Sequence, residues 1–205
     1  MTNIRFGFEI ETKGQTPSLV SQIHGDELYD VDSKTRYESL LAAPPPGDGV
    51  YTRLKQTPIY VFTADCVPLL FYNENPNGLV AAVHCGWRGA AAQIAAKALR
   101  LFDGDKSPVH LVVGPCIHGE NYEVKADFVE TFKQSDPNIQ DHVINKDGKL
   151  FFDVLNYVLK TQLASIPEAR RHLEHAQCTF SSDLPSYRRN GNTQTRLRSW
   201  IERVD

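Results

Sequence analysis

The stretch that decides the fold is FTADCVPLLFYNENPNGLVAAVHCGWRGAAAQIAAKAL, residues 62–99. Its apolar runs 68–72 and 79–83 predict two strands, and the turn-forming segment NENPNG between them predicts an antiparallel hairpin. Cys66 and His84 lie near the strand ends that are remote from this turn. We therefore expect the two side chains to approach each other across the sheet.

The alanine-rich segment after the hairpin predicts a helix over 88–102, because its apolar residues recur at helical spacing. Outward from this unit, further segments show strand or helix patterns. Strands are expected at 4–11, 59–63, 109–113, 176–182 and 196–203, and segment 18–28 is expected to be a strand that runs into a polar turn at His24-Gly25-Asp26. Helices are expected at 127–134 and 153–165, a loop at 43–52 and a hairpin or loop at 186–195; segment 33–43 has weak helical character. Together these elements predict an α/β (mixed α+β) fold with a mixed sheet and flanking helices.

Length and composition favour one compact domain over 1–205, since no repeat or low-complexity linker divides the chain. The net charge of −3 provides no basic surface for nucleic acid or for an anionic membrane. No apolar run is long enough to span a bilayer, and no secretory signal is visible at the amino terminus. The four cysteines show no CxxC spacing, which favours reduced thiols and a cytoplasmic location.

Cys66 and His84 are residue types that bind zinc, and His24 in QIHGD could supply a third ligand. Two histidines and one cysteine would leave one tetrahedral position open, as in catalytic zinc sites. The same residues would also suit a core, where a buried cysteine is inert and a histidine is hydrogen-bonded. The other five histidines compete as ligands, with His118 the strongest rival: His110, His118, His142, His172 and His175.

The motif GWRG at residues 86–89 indicates an anion site at the start of the expected helix. Gly86 and Gly89 would let backbone N–H groups approach a ligand, and Arg88 would add a bidentate donor. Trp87 could offer a flat face to a ring. Alternatively, the glycines allow close packing and the tryptophan fills the core.

The chain resembles the polyphenol oxidase (laccase-domain) family in the order of its motifs: QIHGD, GDGVYT, TADCVPLL, VAAVHCGWRG, GPCIHGENYEV and SYRR. Members of that family are also known as peptidoglycan editing factors and as zinc-dependent purine nucleoside phosphorylases. The resemblance implies that His24, Cys66 and His84 bind zinc at the floor of a pocket. It also implies phosphorolysis of adenosine, inosine, guanosine and methylthioadenosine, with some adenosine deamination. The expected partners are thus a small-molecule nucleoside and phosphate.

For such a reaction, we expect Arg88 and the helix amino terminus to hold phosphate, assisted by Arg188 or Arg189. Asp65, next to Cys66, is a candidate acid/base or supporting residue. The chain departs from the family in having a shorter segment before QIHGD and in lacking the Gly of the T-G-R motif before Arg196. A further departure is Cys85, which adds a thiol beside the expected metal.

Two other activities use the same residues. A copper (Cu²⁺) polyphenol oxidase would need a larger ligand set, and Met1 is the only methionine and no His-x-His occurs. A hydrolase that edits peptidoglycan precursors would use the same metal site. A binding module without catalysis is less consistent with retention of all three ligands.

Overall fold

The predicted hairpin forms the centre of the structure. In the computed structural model, which describes residues 3–191 and 193–204, strands Val67–Asn73 and Val80–Cys85 pair antiparallel. Pro68 lies opposite His84, so Cys66 enters the sheet beside that histidine. The hairpin thus brings the two residues to the same edge, as expected.

The strands of the described residues belong to three sheets. In chain order they are β1 (Ile4–Thr12), β2 (Leu28–Asp30), β3 (Gly49–Thr52), β4 (Ile59–Thr63), β5 (Val67–Asn73), β6 (Val80–Cys85), β7 (Val109–Val113), β8 (Glu123–Val124), β9 (Val143–Lys146), β10 (Lys149–Phe152), β11 (Arg171–His172) and β12 (Thr195–Arg203). The central sheet has the order β11-β7-β5-β6-β3-β2 and is mixed, because the β11–β7 and β2–β3 pairs are parallel. A second sheet, β1-β12-β4, is antiparallel, and β8-β10-β9 forms a small third one.

The helices of the described residues are α1 (Lys34–Ala42), α2 (Trp87–Ala91), α3 (Ile94–Arg100), α4 (Ala126–Lys133), α5 (Val154–Thr161) and α6 (Tyr187–Asn190). Residues of α2, α3, α4 and α5 pack on one side of the central sheet, and α1 packs on the other side. The mixed α/β fold with flanking helices that the sequence predicts is therefore confirmed. Within the described residues, no helix has the length and apolar character needed to cross a membrane.

Alternation along β6 divides the core into two layers. Ala81, Val83 and Cys85 pack on the helix side, with residues of α3, α4 and α5. Val80 and Ala82 pack on the opposite side, against the sheet β1-β12-β4. Because successive side chains of a strand point to opposite faces, His84 falls on the side of β1-β12-β4 and Cys85 on the helix side.

The predicted helix over 88–102 is wrong in one respect, because it is interrupted. Gln93 adopts a left-handed backbone with φ 64°, which separates α2 from α3. The Gln162 side chain bridges the break: its Nε2 donates to the Ala90 carbonyl at 2.7 Å, and its Oε1 accepts from the Ala96 N–H at 3.4 Å. A distant side chain thus satisfies the backbone groups that the interruption exposes.

Three other segment predictions are also corrected. The strand expected at the start of segment 18–28 is reduced to one isolated bridge between Ser21 and Pro46, whereas the turn expected after it is a bend at His24 and Gly25. The strand expected over 176–182 reduces to a bridge between Cys116 and Cys178. The hairpin or loop expected over 186–195 begins with α6, which the Ser186 side chain caps; Asn192 lies outside the described residues. The loop expected over 43–52 ends as β3.

Candidate metal centre

The structure brings His24, Cys66 and His84 together. Each offers one donor atom, and the three atoms lie within 4.8 Å of one another. His84 is buried, Cys66 is half-buried and His24 is exposed. The group therefore extends from the sheet interior to solvent, as a site open to a ligand requires.

His24 is held by a tight bend of the chain. Its backbone has φ 63°, and three successive N–H groups of the bend point at one carboxylate. His24 N donates to Asp48 Oδ1 at 2.9 Å, while Gly25 N donates to Asp48 Oδ2 at 2.6 Å and Ile23 N to the same oxygen at 3.3 Å. The buried Asp48 thus fixes the position of the His24 backbone.

Asp48 also orients His84, a role that the sequence analysis missed. Oδ1 of Asp48 lies 2.8 Å from Nδ1 of His84, so the histidine can present Nε2 to a metal. Although burial by itself lowers the pKa of His84, the neighbouring Cys66 and Asp48 raise it to about 9. Burial raises the pKa of Asp48, but the hydrogen bond and charge of His84, together with the N–H groups of Gly25 and His24, lower it below its ordinary value. The aspartate between two glycines in GDG was the available signal for this residue.

The Cys66 thiol is activated by the two histidines. Burial alone would raise its pKa, but His84 and a hydrogen bond to His24 lower it to about 6. The thiolate is the form that binds metal. Cys85, in contrast, lies on the helix side of the sheet, where burial raises the pKa of its thiol. Cys85 is therefore not among the residues that line the cavity at His24.

The donors and their surroundings fit a zinc ion. Two imidazoles and one thiolate are ligands that zinc prefers, and a carboxylate behind a ligating histidine is typical of such sites. Gly86 is required for this closeness: a Cβ there would lie 3.0 Å from the Cys66 Sγ and 3.0 Å from the His24 Cδ2. Any larger residue would push the two ligands away.

The three side chains line a cavity of about 760 Å³, within the size range of sites for small molecules. Its wall combines apolar, hydroxyl and cationic groups. The other lining residues are Thr12, Lys13, Gly14, Thr16, Pro17, Ser18, Gln22, Phe62, Thr63, Ala64, Tyr187 and Arg196. Lys13 and the hydroxyls of the adjoining turn were not predicted as site residues, because nothing in the local sequence shows that this turn lines the same cavity as the ligands.

Asp65 is placed behind the ligands and not among the residues that line the cavity. Its Oδ1 accepts from the Thr179 hydroxyl at 2.6 Å, and its Oδ2 accepts from the Arg188 N–H at 2.6 Å. Its backbone φ of 99° lies in a region that favours glycine. Of the two roles expected for Asp65, acid/base or support, these contacts favour support of the loop before Cys66.

Arg88 and Trp87 lie outside the residues that line the metal-site cavity. The Arg88 guanidinium stacks 4.2 Å from the centre of the Trp87 ring, and both line a second cavity of about 420 Å³. The helix that Gly86 begins has only five residues, so the predicted anion site lacks most of the helix dipole. Gly89 allows close packing against the His24 bend, since a Cβ at this position would lie 3.1 Å from the Gly25 carbonyl oxygen.

Arg188 and Arg189, also predicted to hold phosphate, have other contacts. Arg188 stacks 4.8 Å from the Tyr122 ring in the second cavity, and its Nη1 donates to the Glu123 carbonyl at 2.7 Å. The Arg189 guanidinium donates to carbonyl oxygens of a neighbouring loop, including Thr179 at 2.8 Å and Leu184 at 2.7 Å. The Arg189 side chain is therefore committed to holding that loop.

Comparison with known proteins shows a consistent group of relatives. Residues 5–203 match the model of a family described as multi-copper polyphenol oxidoreductase laccase. A protein of Aquifex aeolicus named purine nucleoside phosphorylase is 36% identical over 190 residues, covering 89% of this chain and 81% of the relative. A protein of the same name from Clostridium acetobutylicum is 30% identical over 205 residues, covering 97% and 80%. The crystal structure of Bacillus licheniformis YfiH shares the fold, with a TM-score of 0.78 at 23% identity, covering 92% of this chain and 74% of that one.

Proposed function

The chain belongs to the multi-copper polyphenol oxidoreductase laccase family, and within it we propose that this protein is a zinc-dependent purine nucleoside phosphorylase. The observation that carries the proposal is the convergence of His24, Cys66 and His84 on one cavity. Relatives at 30% and 36% identity have the name of this activity. The proposed substrates are adenosine, inosine, guanosine and methylthioadenosine, each with phosphate.

In phosphorolysis, a phosphate oxygen forms a bond to C1′ of the ribose while the bond from C1′ to the purine breaks. The purine leaves with the electron pair and takes up a proton. Lys13 and Arg196 are the cationic residues that line the cavity, so they are better placed than Arg88 to hold the phosphate. Arg196 is fixed at the wall because its Nη1 donates to the carbonyls of Thr193 and Thr195, at 2.7 and 2.8 Å.

His24, Cys66 and His84 would hold the zinc, and Asp48 would orient the histidines through its hydrogen bonds. When bound by these residues, zinc would supply Lewis acidity towards an oxygen or nitrogen of the substrate. Phe62 provides an apolar wall against which a purine can pack. The Gln22 Nε2 donates a hydrogen bond to the Phe62 carbonyl at 2.7 Å, and the Phe62 N–H donates to the Gln22 Oε1 at 2.8 Å. These two hydrogen bonds join the His24 bend to β4.

The same metal position would also support adenosine deamination, in which water replaces the amino group of the purine. The complete H-x-E and P-C-x-x-C signature of the zinc deaminases is absent because the sequence has no P-C-x-x-C, so this activity would use a different arrangement. Copper is the alternative metal, since nitrogen and thiolate donors bind it as well. The free cysteines fit the reducing cytoplasm that we propose as the location.

The decisive experiment is to incubate the purified, zinc-loaded protein with inosine and to measure hypoxanthine with and without phosphate. We expect release that requires phosphate, that is lost in His84→Ala, and that is kept in Cys85→Ala, a neighbour on the opposite face of β6. Metal analysis of protein purified without added metal identifies the native ion. Hypoxanthine release that ignores phosphate, or that survives His84→Ala, would count against the proposal.

A further inference from the structure

A second group of metal-binding side chains lies beyond the cavity of the first. His118, Glu120 and Cys178 each offer one donor atom, and these atoms lie within 4.8 Å of one another. None of the three is among the residues that line the cavity at His24. We propose that His118, Glu120 and Cys178 form a second zinc site, independent of the reaction proposed above.

The hydrogen bonds of His118 prepare its ring for a metal. Nε2 lies 2.6 Å from the Ala176 carbonyl oxygen, so this nitrogen carries the proton and donates it. The lone pair of a neutral ring is then on Nδ1, which lies 3.7 Å from the Glu120 carboxylate. A metal ion between these two atoms would be bound by both of them. A histidine whose other nitrogen donates to a carbonyl is the usual geometry of a metal ligand.

Cys178 supplies the sulfur ligand from the interior side. The residue is 7% exposed, and its Sγ accepts hydrogen bonds from the His118 N–H and from the Asn121 amide, both at 3.4 Å. Burial raises the pKa of this thiol, but hydrogen bonds from Ser181 and from backbone N–H groups lower it below its ordinary value. Thiolate, imidazole and carboxylate together suit zinc.

Binding has a simple charge balance. The Cys178 thiol releases its proton to solvent, and the His118 ring contributes the lone pair of Nδ1. The thiolate and the Glu120 carboxylate then neutralise the two positive charges of the ion. Glu120 is exposed, so the remaining coordination position is open to water.

The location of this group links it to the loop that carries the first site. Ile117, just before His118, donates its N–H to the Asp65 carbonyl at 2.8 Å. Thr179, just after Cys178, donates its hydroxyl to the Asp65 carboxylate. A zinc ion held by His118 and Cys178 would therefore join the two segments that fix Asp65, and would stabilise the fold locally.

Titration of the metal-free full chain with zinc or cobalt tests the site without any substrate. We expect two equivalents per chain in the wild type and one in His118→Ala and in Glu120→Gln. Glu120 and Glu168 each lie in a three-residue 3₁₀ helix, so Glu168→Gln is the matched control and should keep two equivalents. With cobalt, each site should add to the near-ultraviolet absorbance of the sulfur–cobalt bond. The total increase in His118→Ala should therefore be about half that of the wild type.

The outcomes separate this site from the first one. His84→Ala should remove the zinc equivalent of the first site and keep that of the second. The number of zinc ions bound at His118 can therefore be read even if the proposed reaction is not observed. The second equivalent should also raise the melting temperature of the wild type and not that of His118→Ala. A wild type that saturates at the equivalent lost in His84→Ala, or a His118→Ala protein that keeps the wild-type count, would overturn the proposal. Identical counts in Glu120→Gln and Glu168→Gln would exclude Glu120 as a ligand and overturn it as well.

Discussion

One oxygen of Asp48 contacts both histidines of the candidate metal centre: Oδ1 lies 2.8 Å from the His84 Nδ1 and 2.9 Å from the His24 backbone nitrogen. These two ligands come from segments far apart in the sequence. A single buried carboxylate therefore sets the orientation of one imidazole and the backbone position of the other. The geometry of the site depends on Asp48 as much as on the ligands themselves.

Replacing Asp48 should weaken metal binding without removing a ligand. In Asp48→Asn, we expect the zinc affinity to fall by roughly 10- to 100-fold, because the amide holds the His84 ring less well. Competition with a chromophoric chelator measures the change. Asp103→Asn alters an exposed aspartate and should bind zinc like the wild type. Equal affinities in Asp48→Asn and the wild type would contradict this assignment.

Adding one methyl group at Gly86 should also disturb the site. The new Cβ would lie 3.0 Å from the Cys66 Sγ and from the His24 Cδ2, so the ligands must separate. We expect Gly86→Ala to retain a folded circular dichroism spectrum but to lose most of its bound zinc, as measured by elemental analysis. Gly148→Ala, with open space around its Cβ, should cost about 1–2 kcal/mol through its positive φ and keep the metal. Full zinc occupancy in Gly86→Ala would show that the ligands do not need this closeness.

The cavity lining distinguishes two candidate phosphate-binding residues. Lys13→Met should raise the KM for phosphate by roughly 10-fold or more, since a hydrogen bond to a charged group contributes about 1.5–3 kcal/mol. Arg88→Met should leave this KM near the wild-type value, because Arg88 lines the second cavity. Initial rates at varied phosphate and saturating inosine provide the comparison. The reverse ranking of the two variants would favour the GWRG motif as the phosphate site.

Asp105 should make stability depend on pH in the acid range. Its carboxylate accepts hydrogen bonds from the Ser107 N–H and from the amides of Asn75 and Asn73, which lower its pKa. A carboxyl with a lowered folded pKa stabilises the protein above its unfolded pKa of about 3.9, and this contribution is lost as the pH falls further. We expect the urea midpoint of Asp105→Asn to lie below that of the wild type at pH 7. The gap should narrow between about pH 5 and pH 3, and a gap of constant size would refute the role of ionisation.

Local patterns predicted those parts of the fold that local residues determine. The hairpin of β5 and β6 follows from two apolar runs around a turn, and its register brings Cys66 and His84 together. The break at Gln93 could not be predicted, because the backbone groups that it exposes are satisfied by the distant side chain of Gln162. The helical spacing of apolar residues continues across Gln93, so the sequence pattern does not reveal the interruption.

In the candidate site, as in the fold, the sequence predicted the locally visible residues and not those that depend on tertiary contacts. Ligand types that zinc prefers are visible in the sequence, whereas their supports depend on tertiary contacts. Asp48, Lys13 and the actual surroundings of Arg88 became apparent only when separate segments were seen packed together. A residue that supports a metal ligand, as Asp48 does, has no fixed separation from that ligand in the sequence and so cannot be found from a motif.

The alternation of β6 restricts how this region can change in length. A residue inserted between the 73–78 turn and His84 would rotate the remainder of the strand by one position, turning the imidazole towards α3 and the Cys85 thiol towards the cavity. An insertion within the turn itself leaves each side chain of β6 on its present face of the sheet. Natural or engineered variation in length should therefore be tolerated at the tip of this hairpin and rejected along its arms.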